Sequence, residues 1–160
     1  MNFDAAFSIL VNPDHEGGYT NDPQDPGGET KYGISKRSYP GEDIANLTLD
    51  RAKQLYQRDF WGPSGCDAVP DKLKYEMFDM GVNTGPKEAV RVLQRALGAV
   101  VDGDFGPNTV LRATSCDPQW LLRRVQAFRI RYYTGLPREE FEHDGAGWMN
   151  RIAANMLLET

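Results

Sequence analysis

The chain has 160 residues, 40% of them hydrophobic and 26% charged, and a formal net charge of -5. That is the composition of an ordinary globular protein with enough length for one substantial core. It excludes a membrane-spanning helix, because no apolar run approaches the roughly 18 residues such a span needs. Charge is unevenly spread. Asp4, Asp14, Glu16, Asp22, Asp25 and Glu29 all precede the first lysine, Lys31, whereas Pro118 to Arg138 carries Arg123, Arg124, Arg129, Arg131 and Arg138 without an acid.

Taken in chain order, Phe3, Phe7, Leu10 and Val11 recur at the spacing of one helical face and predict a short amphipathic helix. The segment lacks the positive start of a secretory signal, so a chain made in the cytoplasm without a signal peptide is expected. Pro13 cannot donate to the carbonyl four residues back, so the helix should stop or bend near Val11 or Asn12, just ahead of Glu16. Residues 17 to 35 are too rich in Gly and Pro for a helix, and Tyr19–Asn21 and Lys31–Ser35 are expected to pair as a small hairpin.

Thr48 predicts the N-cap of a helix through Phe60, with Ala52, Leu55, Tyr56 and Phe60 on its apolar stripe and Trp61-Gly62-Pro63 ending it. Pro70 and Pro86 each fit the first position of a helix, the first bearing Leu73, Met77 and Phe78. The second bears Ala89, Val90, Leu93, Ala96 and Leu97 and closes at Gly98. Pro107 opens a short helix after the Asp102–Gly106 turn, and Asp117-Pro118 starts a longer one that runs through Tyr133 to Gly135. A last helix is expected from about Trp148 to Leu158, with Ile152, Met156 and Leu157 facing inward. The architecture is mainly α. The five arginines of the 118–138 stretch read as a solvated face that can also attract anionic polymers.

For chemistry, carboxylates set among glycines, prolines and tyrosines suit a loop that aims acids into a cleft. Glycosidic cleavage needs a protonated acid at the leaving oxygen and a second carboxylate to steady the sugar cation or activate water, and Glu16 and Asp25 can fill those roles. A free Glu titrates near ~4.3, so the acid needs burial against apolar groups such as Phe7, Tyr19 or Tyr32. Asp102-Gly103-Asp104 fails as a calcium loop, since its fifth position is Gly106 and its twelfth Ala113. His15, His143, Cys66 and Cys116 stand at no zinc-binding spacing, and the two cysteines read as reduced packing residues. No metal or other cofactor is expected, and no nucleotide or nucleic-acid motif is present.

Glu16-Gly17-Gly18-Tyr19, Asn21-Asp22-Pro23, Asp25-Pro26-Gly27-Gly28, Thr30 and Gly33-Ile34-Ser35 together resemble the N-terminal signature of glycoside hydrolase family 108, the N-acetylmuramidases of phage endolysins and related bacterial proteins. Phe78 to Gly85, Leu93 to Gly98 and Asp102 to Thr109 are similar to the predicted peptidoglycan-binding region that follows in that family. The resemblance implies a lysozyme-like helical fold with a small β-hairpin near the active-site loop. It also implies a single domain over 1–160, with a catalytic lobe at 1–70 and a helical peptidoglycan-binding-like lobe at 71–160. The implied reaction cuts the bond between N-acetylmuramic acid and N-acetylglucosamine, with Glu16 as general acid. Asp25 follows Glu16 at the gap found in phage-type lysozymes and Thr30 comes one residue earlier than in that pattern, with Asp22 a rival for the second carboxylate. Tyr19, Asn21, Tyr32 and Asn83 are the substrate-binding candidates. Asn83 fits either a hydrogen bond to an N-acetyl group or a left-handed helix cap. The implied partner is bacterial peptidoglycan, met by a monomer without stable membrane insertion, held in the host cytoplasm until a holin opens the way. The competing reading is a non-catalytic wall-binding module built on residues 75 to 113.

Overall fold

The computed structural model describes residues 1–11, 18–21 and 27–158. Seven helices and one two-stranded antiparallel sheet occur among them, a mainly α, lysozyme-like fold. The chain divides into two compact units, Asn2–Asp59 and Phe60–Thr160, with Met1 joining the second.

In the first unit, α1 (Phe3–Leu10) is capped by Asn2, whose side chain accepts from the Ala5 amide, and it stops at Val11 as the proline downstream requires. Its Phe7 meets the ring of Tyr56 edge-on at 5.4 Å and is 2% exposed. Tyr56 lies at the end of α2 (Leu49–Tyr56), started by the Thr48 hydroxyl accepting from Arg51 and continued by a π-helical turn, Gln57–Trp61. Ile34, Ile44, Leu47, Ala52 and Leu55 complete the small core.

The sheet corrects one expectation. The strands are β1 (Thr30–Lys31) and β2 (Ile34–Ser35), so Lys31–Ser35 is itself the hairpin, and only Thr20 of the 19–21 segment joins it, by a bridge to Thr30. The two-residue turn holds Tyr32 at φ 53° and Gly33 at φ 73°, positive at both central positions as a type I′ turn demands. A bulky Tyr stands where Asn is usual, which is why the turn was not legible.

The second unit packs α3 (Asp71–Thr84), α4 (Pro86–Leu97) and α6 (Pro118–Thr134) against one another, flanked by α5 (Pro107–Ser115) and α7 (Arg138–Leu157). Met77, Phe78, Met80, Leu93, Ala96, Leu121, Leu122 and Val125 are all buried at their junction. Pro70 caps α3 from outside rather than occupying its first position, whereas Pro86 and Pro118 sit inside α4 and α6, and Gly98 ends α4 in the left-handed conformation. Gly81 allows close approach: a Cβ there would collide with the buried Ser64 hydroxyl, so the turn after Trp61 can lie directly on α3.

The last helix begins at Arg138, ten residues before the sequence pattern places it. Gly145 and Gly147 obscure the pattern, yet Gly145 is buried under the Phe141 ring, where a Cβ would come within 2.9 Å. Its inner arc runs through Gly145, Ile152 and Asn155, so Met156 (41% exposed) and Leu157 (75% exposed) face outward, against expectation.

Both cysteines are free thiols, Cys66 buried and Cys116 half-buried. Burial pushes the Cys66 thiol far above its ordinary range, with the Asp67 charge adding to the shift. A maleimide is therefore expected to label Cys116 in the native protein and Cys66 only after denaturation. Rapid labelling of both would contradict the packing of Cys66, and labelling of neither would contradict the exposure of Cys116.

Candidate active site

Glu16, Asp25 and its rival Asp22 lie outside the described residues. What is described is the short segment between them, residues 18–21, and the hairpin that follows them in the chain. The amides of Thr20 and Thr30 exchange hydrogen bonds with each other's carbonyls at 2.9 Å, which fixes the segment around Tyr19 and Asn21 onto the hairpin. The Tyr19 hydroxyl donates to Glu29 Oε1 at 2.6 Å, and that bond holds the phenol above its ordinary pKa, with burial and the Glu29 charge acting in the same direction. Tyr19 nonetheless keeps 43% of its surface exposed, and Asn21 is exposed beside it. Glu29 is an acid that the sequence reading passed over; a carboxylate one residue before a candidate Thr was the available signal.

Thr30 is half-buried, and its hydroxyl donates to the Gly28 carbonyl at 3.3 Å, a long local bond that leaves the oxygen able to accept another. Tyr32 is the described non-glycine residue with positive φ, a costly conformation for a bulky side chain that persists only where its surroundings impose it. Here the Tyr56 hydroxyl donates to the Tyr32 carbonyl at 3.1 Å, and Lys31 Nζ lies 5.6 Å from the Tyr32 ring while donating to Ala45 O. Of the aromatic groups considered for burying an acid, Phe7 is committed to the core with Tyr56.

The strain at Tyr32 carries a prediction. Tyr32→Asn places a residue suited to the turn, so the melting temperature should hold or rise, while loss of a stacking face worth about 0.5–1.5 kcal/mol should raise KM for soluble wall fragments about 2- to 12-fold. An unchanged KM would remove Tyr32 from the binding surface.

In the second unit, Asn83 lies inside α3 and is exposed; Gly85, at φ 87°, is the residue that caps the helix, so Asn83 is not a left-handed cap. Its Oδ1 accepts a short hydrogen bond from the Tyr133 hydroxyl. Arg129, which can only donate, approaches the same hydroxyl at 3.5 Å, so the Tyr133 proton is directed to Asn83, and Asn83 offers its Nδ2 donors outward. Tyr133 in turn stacks on Trp148 at 4.8 Å and 16°.

Behind it stands a cluster absent from the sequence expectations. Arg129, completely buried, donates from Nη1 to Glu76 and from Nη2 to Asp79, both at 2.7 Å. Asn155 donates to both carboxylates and Arg151 to Asp79. Arg129 therefore belongs to the core and not to a solvated basic face, a correction to the reading of the 118–138 stretch. Among the described residues no three His, Cys, Asp or Glu side chains are grouped to hold a metal ion. Asp102 is occupied as a turn residue, accepting from the Asp104 amide and from Gln94 Nε2.

Residues 12–85 match the family model of glycosyl hydrolase 108, and residues 88–153 match that of the predicted peptidoglycan domain. The solved structure of Brucella abortus SagA is similar, with a TM-score of 0.82 and 26% sequence identity over 96% of this chain and 90% of that one. No curated protein sequence matches the chain. Two adjoining family matches and a similar structure spanning nearly the whole length agree: residues 12–85 belong to glycosyl hydrolase family 108 and residues 88–153 to the predicted peptidoglycan domain family.

Proposed function

We propose that the protein is an N-acetylmuramidase that cleaves the β-1,4 bond from N-acetylmuramic acid to N-acetylglucosamine. Its family makes it a glycoside hydrolase acting on peptidoglycan. The observation that carries the finer reading is that the family match over residues 12–85 contains Glu16, Asp25 and Thr30 in order, with Thr30 opening a hairpin that is bonded to Thr20 and, through the Tyr32 carbonyl, to Tyr56. In this reading Glu16 protonates the leaving oxygen, Asp25 steadies the oxocarbenium-like sugar or positions water, and Thr30 orders the attacking water. Tyr19 and Tyr32 offer ring faces to sugars and Asn21 adds a polar contact; within the second unit, taken by itself, the Asn83 amide is a donor suited to an N-acetyl carbonyl. The protein acts as a phage-type endolysin, a monomer stored in the host cytoplasm and released to the wall through a holin.

The test is to digest purified sacculi with the native chain and with Glu16→Gln, scoring reducing sugar ends, anhydro-sugar ends and free amines. Reducing muramic acid ends from the native chain only are expected. Anhydro ends would mean that the sugar's own hydroxyl, rather than water, captures the cation; amines would move the cut to the peptide; wall binding without any product would favour a binding module.

A further inference from the structure

One side of α6 alternates aromatic rings with guanidinium groups. The Arg124 guanidinium lies 4.8 Å from the Trp120 ring centroid and 5.6 Å from that of Phe128, and Arg131 lies 5.8 Å from the Phe128 centroid. Four residues of helix advance about 6 Å, so the groups follow one another along a single stripe. Trp120 at its start is 47% exposed. Arg124 is not free to follow a ligand, because its Nε donates to Ala96 O at 2.6 Å. Arg131 differs. It is exposed and, among the described residues, has no carboxylate partner, whereas Arg91 and Arg95 share Glu88 between them.

Arg131 stands at the edge of a recess of about 340 Å³ lined also by Phe128, Tyr132, Glu88 and Arg95. Two aromatic side chains one turn apart supply its apolar surface, and the Glu88 charge is already answered by two arginines. Glu140 is the other carboxylate whose charge reaches Tyr132. The recess therefore presents, beside apolar walls, the Arg131 guanidinium without a carboxylate partner while Arg95 is paired with Glu88, which suits one carboxylate attached to a small apolar group. Where a stem peptide is attached, the muramic acid carboxyl is tied up as its amide and the glycan offers no such charge, and an anionic membrane surface would call for a row of free cations where this stripe has its other arginine tied down.

We propose that this recess is a subsite for the stem peptide of peptidoglycan, Arg131 pairing with a peptide carboxylate while Phe128 and Tyr132 pack on the neighbouring side-chain methyl groups. The proposal rests on the reading that the chain acts on peptidoglycan, and it places recognition of the peptide on the outer side of α6.

The experiment uses the full chain carrying Glu16→Gln, so that bound wall stays uncut, and measures co-sedimentation with three materials: intact sacculi, sacculi stripped of stem peptides by an amidase with the lactyl carboxyls so freed converted to amides, and vesicles of phosphatidylglycerol with phosphatidylcholine. Adding Arg131→Gln or Phe128→Leu is expected to weaken binding to intact sacculi about 10-fold, a loss of about 1.4 kcal/mol, while Arg131→Lys keeps most of it. On stripped sacculi the variants and their parent should bind alike. Unchanged binding of both variants to intact sacculi overturns the subsite, as does an equal loss on stripped sacculi or on vesicles. If the native chain still releases sugar ends in that event, the hydrolase reading survives alone. If the parent does not bind wall and the native chain does not cut it, both readings fall.

Discussion

Arg129→Met should destabilise the protein by about 3–5 kcal/mol, because it leaves two carboxylates in the core without the cation that lies between them. Glu76 and Asp79 are each about 1% exposed, and after the change they retain only Asn155 and, for Asp79, Arg151 as donors. Burial disfavours the charge of Arg129, yet the fields of Glu76 and Asp79 outweigh that and hold the guanidinium above its ordinary pKa. Removing it should lower the melting temperature by roughly 6 to 20 °C for a protein of this size. Arg151→Met is the control: that side chain is 33% exposed and Asp79 keeps Arg129, so a loss of about 1 kcal/mol is expected. Equal melting temperatures for the two variants would show that the core pairing is not what holds α3, α6 and α7 together. The same substitution also releases the Tyr133 hydroxyl, so the Asn83 amide would lose its fixed orientation even in molecules that stay folded.

Arg129 also shows where a sequence stops being legible. Its partners lie 53 and 50 positions away, so within its own helix nothing distinguishes it from Arg123 or Arg131, and the whole stretch reads as one basic face. Helix ends, by contrast, are written locally. Thr48 and Asp117 accept from amides three residues on, Pro86 and Pro118 open their helices, and Gly98 closes its own, all where the sequence places them. Local signals fail where a tertiary neighbour decides: Gly145 looks like a helix breaker until Phe141 covers it, and Tyr32 looks like a strand residue until Tyr56 holds its carbonyl in a turn. For the candidate site, motif order marks Tyr19, Asn21, Thr30 and Tyr32, which the hairpin does gather. The Glu29 partner of Tyr19 and the Tyr133 partner of Asn83 emerge only from contacts.

Glu16→Gln should reduce wall cleavage by about 10²- to 10⁴-fold without loss of wall binding, since an amide fills the same space but has no proton to give to a leaving sugar oxygen. The second carboxylate is then identified by comparing Asp25→Asn with Asp22→Asn. Whichever residue faces the developing sugar cation should lose activity on a similar scale, because in a site closed to water the missing negative charge is not replaced by solvent. The other should stay within about 5-fold of the native rate, the range of an exposed turn residue. Small anions sharpen the comparison. If Asp25 is the group on the far side of the sugar, Asp25→Ala should regain turnover in the presence of azide, which can enter the vacated space and attack the anomeric carbon. The anomeric configuration of the azide product then reports which face the carboxylate occupied. Rescue of Asp22→Ala and not of Asp25→Ala would transfer the role to Asp22. Failure of both, with native-like melting and wall binding, would leave Glu16 acting without a carboxylate from this loop. Glu29, held by Tyr19 at the edge of the hairpin, would then be the next acid to replace.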